Sequence, residues 1–83
     1  MRIEILYFAW LRERIGVPRE SIETDAATVM DLVNELRQRD ERYAVAFQDV
    51  SAVRVALDQV LNDFAADISG SKEIAFFPPM TGG

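Results

Sequence analysis

Eighty-three residues, 49% of them hydrophobic, are enough for one domain that buries a core without covalent staples. With neither cysteine nor histidine, the chain has no disulfide, thiolate metal site, thiol nucleophile or imidazole base, and its glycines at 16, 70, 82 and 83 form no phosphate-cradling loop. A net charge of −5 disfavours nucleic acid and suits a basic protein partner, while no apolar run reaches the ~20 residues that span a bilayer, so cytoplasmic residence is expected.

Arg2 to Phe8 alternates, with Ile3, Ile5 and Tyr7 on one face and Arg2, Glu4, Leu6 and Phe8 on the other. The partly apolar second face predicts a central strand. Ala9 to Ile15 has helical composition, with Gly16 as a natural residue to close it and Val17-Pro18 to break the chain away. Arg19 to Thr24, polar around Ile22, reads as a weak strand that would pair antiparallel with the first. Val29, Leu32, Val33 and Leu36 fall at i, i+3, i+4 and i+7 and predict an amphipathic helix. Thr28 is its expected N-cap, Asp31 lies near the positive end of its dipole, and Arg37 and Arg39 occupy its last turn before an end near Asp40.

Glu41 to Val50 leaves two readings open. Tyr43, Ala44, Val45 and Phe47 form either another helical turn or irregular core-filling chain. Ala52 to Leu57 alternates again, with Val53, Val55 and Leu57 inward and Arg54 outward. Asp58-Gln59 reads as a turn, Val60-Leu61 as a short strand, and Asn62-Asp63 as a second turn. Ile68 to Lys72 reads as a turn into a last strand, Glu73 to Phe77, which Pro78 and Pro79 terminate. The predicted class is α+β: a mixed sheet of four to five strands on one main helix plus a short one, with a body over 1–77 and an extended tail over 78–83.

The tail holds the candidate chemistry. Two prolines favour an extended arm, and the six residues from Pro78 to Gly83 can reach about 20 Å. Gly82 and Gly83 lack Cβ atoms, so the end is thin enough for a narrow channel and offers the Gly83 carboxylate to another protein's active site. A Gly-Gly end by itself also reads as a frayed terminus. Phe76 and Phe77 point to opposite sides of the last strand, so one is expected in the core and the other towards a partner. Phe77, Pro78, Pro79, Met80, Thr81 and Gly82 are expected to contact that partner, and Phe8 and Phe76 are candidates for the same interface. Trp10 reads as a partner anchor or as a cover for one end of the core. Asp58, Asp63 and Asp67 read as turn chemistry rather than a metal site.

Tyr7-Phe8-Ala9 closing the first strand, L-R-E-R-I-G over Leu11 to Gly16, and E-I-A-F-F-P-P-M-T-G-G over Glu73 to Gly83 resemble the molybdopterin synthase small subunits across nearly the whole chain. The resemblance implies a ubiquitin-like β-grasp fold, shared more distantly with the thiamine-pathway sulfur carriers. It further implies that an E1-like adenylyltransferase uses ATP to adenylate the Gly83 carboxylate, and that sulfur then displaces AMP to leave a thiocarboxylate. The large synthase subunit, in a heterotetramer, would accept the tail and pass sulfur to cyclic pyranopterin monophosphate, forming the molybdopterin dithiolene. On this resemblance the chain binds no cofactor and is not an enzyme alone. Where such subunits often carry an acidic D-G-D-E turn, this chain has Ser69-Gly70-Ser71-Lys72-Glu73. The competing readings are a sulfur carrier for thiamine or tRNA thiolation, a ubiquitin-like protein modifier, and a non-catalytic β-grasp interaction module.

Overall fold

A computed structural model describes residues 1–79. Along the chain run β1 (Arg2–Tyr7), α1 (Trp10–Ile15), β2 (Arg19–Glu23), α2 (Val29–Arg39), α3 (Glu41–Ala46), a 3-10 turn (Val50–Ala52), β3 (Arg54–Leu57), β4 (Val60–Asn62) and β5 (Glu73–Phe77). The strands make one sheet in the order β2-β1-β5-β3-β4. β5 pairs parallel with β1 and antiparallel with β3, which makes the last strand of the chain the middle strand of the sheet.

One face of the sheet is covered and the other open. Ile3, Ile5 and Tyr7 alternate inward with Ile22, Ile74, Phe76, Val55 and Leu57, and α2 lays Val29, Leu32, Val33 and Leu36 over them. Local chemistry sets the helix ends. Thr28 Oγ1 accepts from Asp31 N–H at 3.1 Å, and Gly16 closes α1 at φ 96°, donating its N–H to the Arg12 carbonyl at 2.8 Å. That left-handed torsion is one that glycine adopts without a Cβ penalty.

The open reading of 41–50 resolves into a helix. Asp40 is extended, which stops α2, and its carboxylate accepts from Arg42 N–H at 2.8 Å, which starts α3. Tyr43, Ala46 and Phe47 face the core at helical spacing, while Val45, expected among the core-filling residues, is exposed. The chain then makes its 3-10 turn, so β3 begins at Arg54 rather than Ala52. Asp58 and Gln59 have φ of 48° and 71°, the paired positive torsions of a two-residue hairpin matching strand twist. Asn62 belongs to β4, and the second turn starts after it.

The chain between β4 and β5 is more than a turn. Ala66 and Phe64 carbonyls accept from Val29 and Met30 N–H at 3.0 and 2.8 Å, and Ile68 donates to the Ala27 carbonyl at 2.9 Å. This segment thereby satisfies donors that the first turn of any helix leaves unpaired. Ile68 is fully buried, a core role its place in a turn-like sequence conceals.

Candidate functional site

The strand that carries the tail is held on both sides and at its start. Beyond its two ladders, Asp58 Oδ1 accepts from the N–H groups of Lys72 and Glu73, both at 3.0 Å, and Asp58 N–H donates to the Glu73 carbonyl at 2.9 Å. At the other end Phe8 N–H donates to the Phe76 carbonyl at 3.1 Å. β5 therefore delivers the chain beyond Phe77 from a fixed point. Pro78 and Pro79 are half-buried; Met80, Thr81, Gly82 and Gly83, the reactive end of the expected site, lie outside the described residues.

Phe76 corrects the expectation that it contributes to an interface. It shares the inward parity of Ile74 and is fully buried. Its ring stacks on Tyr7 at 6.2 Å and meets the edge of Phe47 at 4.9 Å, with Phe64 at 6.4 Å. A side chain so enclosed is a core residue. Phe77 takes the opposite face and is half-buried.

The open face is organised in rows by the strand register. Beside the tail, Phe77 stands opposite Arg54 on β3, with Phe8 on its β1 side. The next row runs Arg19, Leu6, Ala75, Ala56, Leu61. Then come Ser21, Glu4 and Glu73. Phe8 is 45% exposed and Leu61 67%. The first two rows thus give a shallow apolar strip beside the tail, and the third a carboxylate border.

Other candidates fall into place nearby. Trp10 packs against the core with the Arg14 guanidinium 4.7 Å above its ring, so it covers one end of the domain. Asp63 accepts from Ala65 N–H at 2.8 Å, and Asp67 from Ser69 N–H and Oγ, each at 2.7 Å. With Asp58 these are turn-forming carboxylates. Hydrogen bonds from Ser69 hold the Asp67 carboxyl below the ordinary aspartate value. Nothing in the local sequence singles out the strip's remaining members, Ala56, Ala75, Leu61 and Arg54. Alternation gives each strand two faces, but only the register joins residues so distant in the chain.

A family model described as the ThiS family matches residues 5–83. The molybdopterin synthase sulfur carrier subunit of Haemophilus influenzae is 37% identical over 81 residues, covering 98% of this chain and 99% of the relative. Its counterpart from Escherichia coli is 35% identical over 81 residues, with the same coverage. Among solved structures, SAMP1 from Haloferax volcanii superposes with a TM-score of 0.79 at 22% identity over the full length of both chains. A complex of subunits 1 and 2 of molybdopterin-converting factor from Helicobacter pylori superposes at 0.62, with 20% identity over the full length of both chains. Likeness at these identities carries the fold, a ubiquitin-like β-grasp.

Proposed function

Because this chain belongs to the ThiS family, we propose that it is the sulfur-carrying small subunit of a molybdopterin synthase, active in molybdenum cofactor biosynthesis beside a large subunit. The observation that carries this reading is 37% identity, over 98% of the chain, to a relative named for that role. The geometry supports it: the tail follows the middle strand of the sheet, and an apolar strip borders its root.

The reacting group is the Gly83 carboxylate. Ionised at neutral pH, with an unperturbed pKa of roughly 3.3–3.7, it is a poor acyl donor. Attack of its oxygen on the α-phosphorus of ATP expels pyrophosphate and makes a mixed anhydride, in the active site of an E1-like partner. Sulfur at the sulfide level then adds at the carbonyl carbon as hydrosulfide, AMP leaves with the bonding electron pair, and loss of the S–H proton gives a thiocarboxylate. That sulfur is anionic and nucleophilic without a neighbouring base, which suits a chain lacking histidine and cysteine. The missing side chains of Gly82 and Gly83 allow both enzymes to enclose the end closely.

Phe8, Leu6, Ala75, Phe77 and Leu61 form the docking strip for the large subunit, whose active site receives Pro78 to Gly83 and supplies the catalytic groups. The dithiolene needs two sulfur atoms, so two carriers on a pair of large subunits form the working heterotetramer. No helix among the described residues is long and apolar enough to cross a membrane, and the ATP that adenylation would consume fits a cytoplasmic carrier. The test is intact-mass analysis of the chain isolated from its own cells. A species with one oxygen replaced by sulfur, lost when Gly83 is deleted, is expected. Its absence from cells that are making the cofactor sinks the reading.

A further inference from the structure

The tail end of the open sheet face carries a cation with no counter-charge among the described residues. Arg2, Arg19, Arg39 and Arg42 each pair with a carboxylate. Arg54, like Arg12, Arg14, Arg37 and Lys72, pairs with none among the described residues, and what sets it apart is its register position on the open face beside the tail. It is exposed. Its Nη1 donates to the Ser51 and Val53 carbonyls at 3.0 and 3.1 Å, which fixes the guanidinium; Nε and Nη2 have no partner among the described residues. Directly across the ladder stands Phe77, the last residue of the tail-bearing strand.

We propose that Arg54 is the charged anchor of the docking strip, and that it pairs with a carboxylate on the large subunit beside the channel that takes the tail. The inference rests on the reading of the chain as a carrier that docks on such a subunit. Arginine next to exposed aromatic and aliphatic side chains is the composition that concentrates binding energy in protein interfaces. A guanidinium already held by two carbonyls loses little freedom on pairing, and its planar fork matches a carboxylate. The net charge of −5 points to a basic partner, yet the local sign beside the tail is the reverse. Arg54 lies at one end of the strip, whereas Glu73 borders the other, beside the Arg19–Glu4 ion pair. Such a gradient fixes the direction in which the strip docks, and so aims the tail inward instead of outward.

The experiment measures association of the full chain with its large subunit at about 50 and 300 mM salt, conditions between which exposed charges become screened. Arg54→Glu is expected to slow association on the order of tenfold at low salt and to flatten its salt dependence. Arg54→Lys should retain most of the rate. Arg12→Glu, the same charge change on the exposed side of α1, should leave it unaltered. Reversal of the matching carboxylate on the large subunit should rescue Arg54→Glu. If the charge reversal unfolds the chain, Arg54→Gln makes the comparison with a polar group retained near the Ser51 and Val53 carbonyls. Wild-type binding with Arg54→Glu associating equally fast overturns the proposal while leaving the carrier reading intact. So does an effect on the KM for the pterin substrate without one on subunit affinity. A wild-type chain that fails to bind the large subunit overturns both.

Discussion

Phe76 and Phe77 are adjacent in the chain and stand on opposite faces of the sheet: Phe76 is enclosed by Tyr7, Phe47 and Phe64, and Phe77 lies half-buried beside Arg54 on the uncovered face. The two rings therefore do different work. Phe76→Ala should lower unfolding free energy by about 3–5 kcal/mol, the cost of emptying a well-packed aromatic site. Phe77→Ala should cost much less stability and instead weaken binding to the large subunit. Urea unfolding and a binding isotherm on both variants separate these effects; equal losses of stability would contradict the assignment of faces.

The chain's two tyrosines share one acceptor. Tyr7 and Tyr43 hydroxyls both donate to Glu20 Oε2, at 2.8 and 2.6 Å. Burial, then the hydrogen bond to Glu20 and its charge, raise both phenols, Tyr43 to about 12. A raised value means that this contribution to stability is complete below the ordinary tyrosine range near 10 and is lost as pH rises through about 12. Ultraviolet titration of the folded chain should show no phenolate forming near pH 10. Glu20→Ala should bring the Tyr43 midpoint down and cost about 1–3 kcal/mol, because the buried Tyr7 hydroxyl loses its partner.

Acid acts through the turns. The Arg42 backbone N–H, helped by its side chain, holds the Asp40 carboxyl below the ordinary value of 3.8, and Ser69 does the same for Asp67. For a lowered value the contribution is complete above 3.8 and disappears as pH falls through the folded value. Asp67→Ala should flatten the acid limb of stability without changing its slope above about pH 5. The urea midpoint followed from neutral to acid pH checks this, and an unchanged acid limb would refute it.

Asp58 combines a left-handed torsion with the hydrogen bonds that start β5. Asp58→Asn keeps an acceptor oxygen and a residue tolerant of positive φ, so it should fold almost as well as the native chain. Asp58→Ala loses both and should cost on the order of 1–2 kcal/mol. Amide exchange at Lys72 and Glu73 should quicken in the alanine variant alone.

Gly83→Ala separates reaction from folding. Its melting temperature should match that of the native chain, while thiocarboxylate formation by the activating enzyme should fall at least tenfold, since one methyl group is enough to crowd a site shaped around glycine. Single-turnover loading followed by mass analysis reads the effect, and native-like loading would show that the end is not closely enclosed.

Much of this protein was legible in the chain itself, because short-range physics governs it. The 3.6-residue stripe of Val29, Leu32, Val33 and Leu36, the cap at Thr28, the stop at Gly16 and the alternation of Ile3, Ile5 and Tyr7 need no information from elsewhere. Tertiary pairing decided what alternation leaves undetermined, namely which face of each strand is covered. It sent Phe76 inward, drew Ile68 into the core by bonding its segment to the start of α2, and set Arg54 beside Phe77 across twenty-two positions of intervening chain. Period two gives a strand two equivalent sides, and only the helix layer that packs on one of them leaves the other open to solvent.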